Sequence, residues 1–299
     1  MSKIAILMST YNGDEFLEEQ LCSIANQITE HEISLYVRDD GSVDRTLKII
    51  ERWKNIIDIH FCSGNNLGPA KSFWSLFEDE SIKADYYAFC DQDDIWDSNK
   101  IEIAIKHLQE GYCLYACNCR SINANGQVIE KLRKEGKPKI SLELLFVSGI
   151  TQGCAMVFTN DLREYICSKN ITCVPMHDLI VCMYALSFGT FFWDQEPHFS
   201  YRFHNNNVVA NKSHVGIRSK IETLKRWKKK SEDSLTVVAK ELLVNEPISD
   251  RNVEAFLIDV STCRRSFTAK LNLIRNNKIK ELEWNYRMSF YFRILLNLI

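Results

Sequence analysis

The sequence predicts an α/β fold built around a parallel sheet. Three observations carry that prediction. Short apolar runs alternate with stretches of helical apolar spacing through the first hundred residues. The turns between them are short and rich in Asp, Asn, Gly and Ser. The turns after the first, second and fourth predicted strands are polar clusters, and an open α/β sheet binds ligands beyond the carboxyl ends of its strands.

The elements follow in order. Residues 3–8 form an apolar run suited to a buried strand. Residues 13–28 carry Phe16, Leu17, Leu21, Ile24 and Ile28 at helical spacing. Then come a strand at 33–37, a helix at 44–53, a strand at 57–62 and a helix at 68–77 opened by Gly-Pro. A strand at 86–90 and a helix at 99–108 complete this third of the chain. The middle third is less regular. It reads as a strand at 112–119, a charged loop at 126–138, a short helix at 141–146 and a strand at 152–158. A helix at 178–188, a strand at 190–193 and an Asn-rich loop at 205–211 follow. Beyond residue 217 the pattern is only helical, with a basic stretch at 218–230 and helices expected at 250–273 and 279–298.

Composition narrows the function. Apolar residues make up 45% and charged residues 25% of the 299, an ordinary globular balance. The net charge of -2 argues against a nucleic-acid binder. It hides an asymmetry: residues 1–212 hold 20 basic and 29 acidic side chains, whereas residues 213–299 hold 17 basic and 10 acidic. The expected domains are therefore a catalytic unit over 1–212 and a basic helical region over 213–299. The 11 cysteines form no CxxC pair and read as buried thiols of a reducing, cytoplasmic compartment. No apolar run is long enough to span a membrane or resemble a signal peptide.

Several clusters could carry chemistry. Asp91-Gln92-Asp93-Asp94 crowds carboxylates at a strand end, which suits a hard cation such as Mn²⁺ or Mg²⁺ or, alternatively, a helix-capping turn. Asp39-Asp40-Gly41-Ser42 offers a carboxylate for a base or ribose, or an Asx turn. Thr10-Tyr11-Asn12-Gly13 offers a ring for base stacking, or turn chemistry alone. His177-Asp178 opens a helix, where an Asp also serves as a simple cap. Tyr201-Arg202-Phe203-His204 sets an Arg and a His two apart, on one face of an extended chain. There is no GxGxxG, P-loop or GxSxG motif.

Taken in order, these pieces resemble the family 2 inverting glycosyltransferases of the GT-A fold, in their bacterial rhamnosyltransferase-like branch. The resemblance rests on Ser9-Thr10-Tyr11-Asn12-Gly13, Glu19-Gln20-Leu21-Cys22-Ser23-Ile24, Asp39-Asp40-Gly41-Ser42 and Asn66-Leu67-Gly68. It continues through Cys90-Asp91-Gln92-Asp93-Asp94-Ile95-Trp96, Gly153-Cys154-Ala155-Met156, His177-Asp178 and Tyr201-Arg202-Phe203-His204, covering about residues 1–210. Asp14, Val43, Ala155 and Leu179 depart from the usual residues.

The resemblance implies a mixed Rossmann-like sheet flanked by helices, with a C-terminal helical appendage. It implies that Thr10, Tyr11, Asn12, Asp40, Lys71, Asp91 and Arg202 bind the nucleotide-sugar. Asp93, Asp91 and His204 would hold Mn²⁺ or Mg²⁺. Asp178 would be the general base, with Gly153, Cys154 and His177 lining an acceptor cleft. The implied reaction moves a hexose from dTDP-rhamnose or a UDP-sugar to a lipid-linked glycan in capsule or O-antigen synthesis. A sugar-phosphate nucleotidyltransferase and a non-catalytic nucleotide-sugar binder are the alternatives. The basic 218–230 stretch and the aromatic 284–298 segment could rest on the inner face of the plasma membrane, or simply pack on the catalytic unit.

Overall fold

The computed structural model describes residues 1–149, 152–204 and 234–299. Among these, nine strands form one sheet in the order β3-β2-β1-β4-β8-β6-β9-β5, with β7 paired to β6. The first half alternates as expected: β1 (Lys3–Thr10), α1 (Leu17–Ala25), β2 (Glu32–Asp39), α2 (Thr46–Trp53), β3 (Ile59–Ser63), α3 (Pro69–Glu78) and β4 (Tyr86–Cys90). Strand β1 pairs in parallel with β2 and β4, and β2 with β3. Burial on both faces explains the unbroken apolar run of β1, since Ile4 to Met8 are all at most 1% exposed. Helix α1 buries Leu17, Leu21 and Ile24 against this sheet, and Gln20 donates to the Cys90 thiol at 2.8 Å.

Beyond β4 the chain makes β5 (Ile95–Trp96), α4 (Lys100–Gln109), β6 (Leu114–Asn123), β7 (Val128–Glu130) and α5 (Leu142–Leu145). It continues with β8 (Met156–Thr159), α6 (Asn160–Cys167), α7 (His177–Phe188) and β9 (Phe191–Phe203). Here the parallel pairing of the first half gives way to the mixed sheet that the resemblance implies. Strand β8 inserts antiparallel between β4 and β6. The insertion decides the site geometry. Two antiparallel steps restore direction, so β6 runs with β4, and β9 pairs in parallel with β6. Strand β9 therefore ends at the edge where β1, β2 and β4 end.

Three local expectations need correction. The 152–158 segment starts as a 3-10 turn over Gly153–Ala155 and becomes strand only at Met156. The charged loop at 126–138 contains β7, because Ser121 and Ile122 of β6 offer it a free edge. The strand expected at 190–193 runs on to Phe203, carried by its long register with β6.

The C-terminal region is helical: α8 (Leu235–Asn245), α9 (Arg251–Thr262), α10 (Phe267–Arg275), α11 (Asn277–Lys280) and α12 (Trp284–Leu295). The helix expected over 250–273 is two helices, because Ser266 caps α10 by accepting from Ala269 N–H at 3.1 Å. That expected over 279–298 divides likewise into α11 and α12. These helices share the core of the sheet region: Leu242, Phe256, Leu257, Leu273, Phe290 and Ile294 are buried in one continuous cluster. Polar ties reinforce the docking. Tyr165 Oη donates to Glu246 at 2.5 Å, Lys169 Nζ to Asn245 O at 3.1 Å, and Arg293 to Val147 O at 3.3 Å. The domain boundary at 212/213, the Asn-rich loop and the basic 218–230 stretch lie outside the described residues.

Candidate functional site

The parallel ends of β1 and β2 build a rigid polar rim. Asp39 is fully buried and accepts from Thr10 Oγ1 at 3.0 Å, Ser42 Oγ at 2.5 Å, and the N–H groups of Gly41 and Ser42 at 3.1 and 2.8 Å. Asp40 is 3% exposed and accepts from Leu67 and Gly68 N–H, both at 2.8 Å, and from the Arg38 guanidinium. Both carboxylates therefore hold loops together, and Asp40 has little left for a ligand. Tyr11 stands half exposed at the rim, its backbone clamped on both sides by Gln92: Tyr11 N donates to Oε1 at 2.9 Å and Nε2 donates to Tyr11 O at 3.1 Å. Gly13 has to lack a side chain, because a Cβ there would collide with the Gln92 carboxamide. Asn12 takes φ +45° and accepts from Val43 N–H at 2.9 Å, so its carboxamide braces the rim. Lys71 is exposed in the first turn of α3.

The acidic loop after β4 is the electrostatic centre. Asp91 is raised to about 7, first by desolvation and then by the neighbouring Asp93 charge, with Asp178 adding to it. Asp94 is fully buried, its pKa is pushed well up by burial, and its Oδ2 has no hydrogen-bond partner. Oxygens of Asp91 and Asp94 and the Cys154 sulfur all lie within 4.8 Å of one another. Crowded carboxylates held apart from water and short of partners are a fit for a cation. Of the donors present, Asp94 and the soft Cys154 thiol lie at the floor, 0% and 1% exposed. Asp93 and His204 reach higher, with side chains 16% and 10% exposed, and supply the hard oxygen and imidazole donors that suit Mn²⁺ or Mg²⁺.

The end of β9 closes the site. His204 Nε2 lies 2.7 Å from Asp93 Oδ2. Arg202 is fully buried. Its Nε donates to Asp93 O at 2.9 Å, one terminal nitrogen to Ala124 O at 2.9 Å and the other to Glu19 Oε2 at 2.7 Å, while its N–H reaches Asp94 Oδ1 at 3.2 Å. This corrects the expectation that Arg202 meets the nucleotide-sugar. A guanidinium with those nitrogens engaged inside the protein braces the acidic loop.

Helix α7 starts at His177, and the two residues of the motif part ways. Asp178 sits partly buried in the first turn and accepts from Leu179 N–H at 2.8 Å, and its charge is one of those that raise Asp91. His177 turns inward. Its ring stacks on Phe73 at 4.2 Å and meets Phe89 edge-on at 4.6 Å. Neither ring nitrogen has a hydrogen-bond partner, and desolvation lowers its pKa to about 3. Gly153 is buried, and a Cβ there would press on that ring. The expected acceptor cleft of Gly153, Cys154 and His177 is thus corrected: all three are buried beneath the surface.

Four neighbours escaped sequence reasoning. Lys100 looks like a surface lysine in a first helical turn, yet it is fully buried. Its Nζ donates to Cys154 O at 2.8 Å and lies 3.3 Å from the Trp96 ring centroid. Gln92 and Glu19 lay inside recognised motifs without a role. Arg133, in the stretch read as a charged loop, packs its guanidinium 4.6 Å over the Tyr201 ring and 5.0 Å over Phe203.

Comparison with known proteins follows from this geometry. A family model described as "Glycosyl transferase family 2" matches residues 5–166. The "dTDP-rhamnosyl transferase RfbG" of Shigella flexneri is 29% identical over 274 residues, which is 85% of this chain and 92% of the relative. The Staphylococcus aureus "Poly(ribitol-phosphate) beta-N-acetylglucosaminyltransferase TarS" is 26% identical over 146 residues, 48% of this chain and 25% of TarS. Among solved structures, S. aureus TarS 1-349 in complex with UDP-GlcNAc superposes with a TM-score of 0.64 at 17% identity, over 99% of this chain and 80% of that one. The mannosyltransferase PcManGT from Pyrobaculum calidifontis, in complex with GDP-Man and Mn²⁺, gives a TM-score of 0.56 at 14% identity, over 99% and 86%.

Proposed function

The chain belongs to glycosyl transferase family 2 and is a glycosyltransferase with a GT-A fold; on that premise we propose that it moves a hexose from a nucleoside-diphosphate sugar to a saccharide hydroxyl, inverting the anomeric carbon. The observation that carries this reading is the Asp93–His204 contact beside Asp91 at one sheet edge, with the Asp178 charge acting on Asp91. Asp178 accepts the proton of the attacking hydroxyl, at a helix N-terminus that favours its ionised form. A single displacement at the anomeric carbon needs no protein nucleophile.

Asp91, Asp93 and His204 would hold Mn²⁺ or Mg²⁺, which when bound supplies positive charge against the leaving diphosphate. Arg202 keeps the acidic loop in register, and Lys100 supplies a buried positive charge beneath it. Tyr11 and Lys71, both exposed near the ends of β1 and α3, meet the nucleotide. Similarity to RfbG over most of its length supports dTDP-rhamnose as donor; the acceptor proposed with it is a lipid-linked saccharide of a surface polysaccharide.

A membrane-proximal acceptor also accounts for α12. Trp284, Met288 and Leu295 are 65%, 41% and 54% exposed on one side of that helix, while Phe290 and Ile294 are buried on another. Residues 270–299 carry six basic and two acidic side chains, which suits an anionic lipid surface. Among the described residues no helix is long and apolar enough to cross a membrane.

Thermal-shift titration with UDP, dTDP and GDP, each with and without Mn²⁺, tests the donor reading. One diphosphate should raise the melting temperature only when metal is present. Absence of any response to all three would sink it.

A further inference from the structure

The parallel ladder between β1 and β4 ends at Met8 and Cys90. Past that point a side chain joins the two segments. Gln92 Oε1 accepts from Tyr11 N–H at 2.9 Å, and Gln92 Nε2 donates to Tyr11 O at 3.1 Å. A carboxamide offers the same donor and acceptor as a peptide group, so Gln92 takes up both backbone polar groups of Tyr11 as a neighbouring strand would. The flanking rim residues are tied the other way, toward the β2 side. Asp40 N–H donates to Thr10 O at 2.8 Å, Asn12 N–H to Ser42 Oγ at 2.9 Å and Gly13 N–H to Thr46 Oγ1 at 2.8 Å.

The position of the clamp gives it a consequence. Gln92 stands between Asp91 and Asp93, so the residue that holds the Tyr11 backbone is the chain neighbour of both carboxylates of the proposed cation group. The Tyr11 ring is 49% exposed, so little packing fixes it and its place at the rim follows from its backbone. The carboxamide has room because residue 13 is Gly: a Cβ there would overlap it.

We propose that Gln92 is a positioning residue for the nucleoside, holding the Tyr11 ring at a fixed place relative to the acidic loop so that the base and the diphosphate of one donor are met together. The inference rests on the donor reading above, in which Tyr11 meets the nucleotide, and adds to it the residue through which Tyr11 is placed. A preset backbone spares the ordering cost that a loose Tyr11 would add to binding. The nucleoside half of the donor therefore depends on Gln92, whereas the diphosphate half depends on the acidic loop.

Isothermal titration with Mg²⁺ tests it, using UDP, dTDP and inorganic pyrophosphate, with a melting curve for each protein. The proteins are wild type, Gln92→Met, Gly13→Ala, Tyr11→Ala and the Tyr11→Ala/Gln92→Met double variant. Met keeps the length of Gln without its hydrogen bonds. Gly13→Ala displaces the carboxamide while leaving Gln92 in the sequence, and Gly13 has no positive φ that would exclude Ala. Both single changes should weaken the nucleoside diphosphate that wild type prefers by about 5–20-fold, the size of two neutral hydrogen bonds. Pyrophosphate affinity should stay within about 3-fold, and melting temperatures should agree, because both bonds lie at the exposed rim. In the Tyr11→Ala background Gln92→Met should cost less than about 2-fold more, since its effect passes through Tyr11. Full nucleoside-diphosphate affinity in Gln92→Met, an equal loss of pyrophosphate, or an undiminished loss in the Tyr11→Ala background overturns the proposal. A wild type that binds neither nucleoside diphosphate, or a Tyr11→Ala variant that binds both as wild type does, instead removes the donor reading beneath it, and the inference with it.

Discussion

His204 Nε2 sits 2.7 Å from Asp93 Oδ2, although 111 positions separate the two residues. The contact joins the loop after β4 to the end of β9, and it exists only because β8 is inserted antiparallel between β4 and β6. It defines the upper part of the acidic site, above Asp94 and Cys154.

Removing one half of that contact tests the cation assignment. Asp93→Ala should abolish the metal dependence of nucleoside-diphosphate binding, because a hard oxygen ligand disappears. Asp94→Ala should instead lower the melting temperature, since Asp94 is a floor residue accepting from Arg202 N–H. Calorimetry with and without Mn²⁺ reads the first effect. Unchanged metal dependence in Asp93→Ala would mean the ligands lie elsewhere.

Asp178→Asn keeps the shape of the helix start and removes basicity. Donor binding and melting temperature should survive while transfer falls by roughly 10²–10⁴. A residue acting only as a cap would tolerate Asn with little change in either quantity. Near-wild-type turnover in Asp178→Asn would strike it from the mechanism.

His177 makes a prediction about acid stability. Its pKa falls from 6.5 to about 3 on folding, so the unfolded chain takes up the proton first. Its stabilising contribution is complete above about pH 6.5 and is lost as pH falls toward 3, by up to about 1.4 kcal/mol per pH unit. His177→Phe removes that titration. Urea unfolding between pH 6 and 4.5 should show a steeper loss for wild type than for the variant, and parallel slopes would contradict the buried neutral ring.

The α12 surface can be tested on vesicles. Wild type should co-sediment with vesicles containing anionic lipid at low salt and less so at high salt. Trp284→Ser combined with Leu295→Ser should stay in the supernatant with its melting temperature unchanged, because both side chains are exposed. Equal pelleting of the variant would assign the exposed face some other role.

The sequence alone determined the alternating half of this protein. Residues 3–108 carry local signals, with apolar period, Gly-Pro at the start of α3 and Asp-rich turns, and the strands β1 to β4 and helices α1 to α4 form close to where their own spacing directs, whereas the short β5 owes its form to antiparallel pairing with β9. Asp91, Asp93, Asp178 and His204 stand out in sequence because each lies in a short motif at a strand or helix end, and the fold brings Asp93 and His204 into contact. Other features depended on long-range pairing. The antiparallel β8, the long β9 and the edge strand β7 take their form from partners distant in sequence, which no local period encodes. The same holds for side-chain direction. His177 and Asp178 are adjacent, yet the His177 ring is buried against Phe73 while the Asp178 side chain is only partly buried and its charge bears on Asp91. Lys100, which carried no expected role, and Arg202, expected to bind the nucleotide-sugar, are both buried braces, because packing closes over them and hydrogen bonds replace their water. Tertiary structure decided which charges bind and which support, since burial and partner geometry belong to the assembled fold.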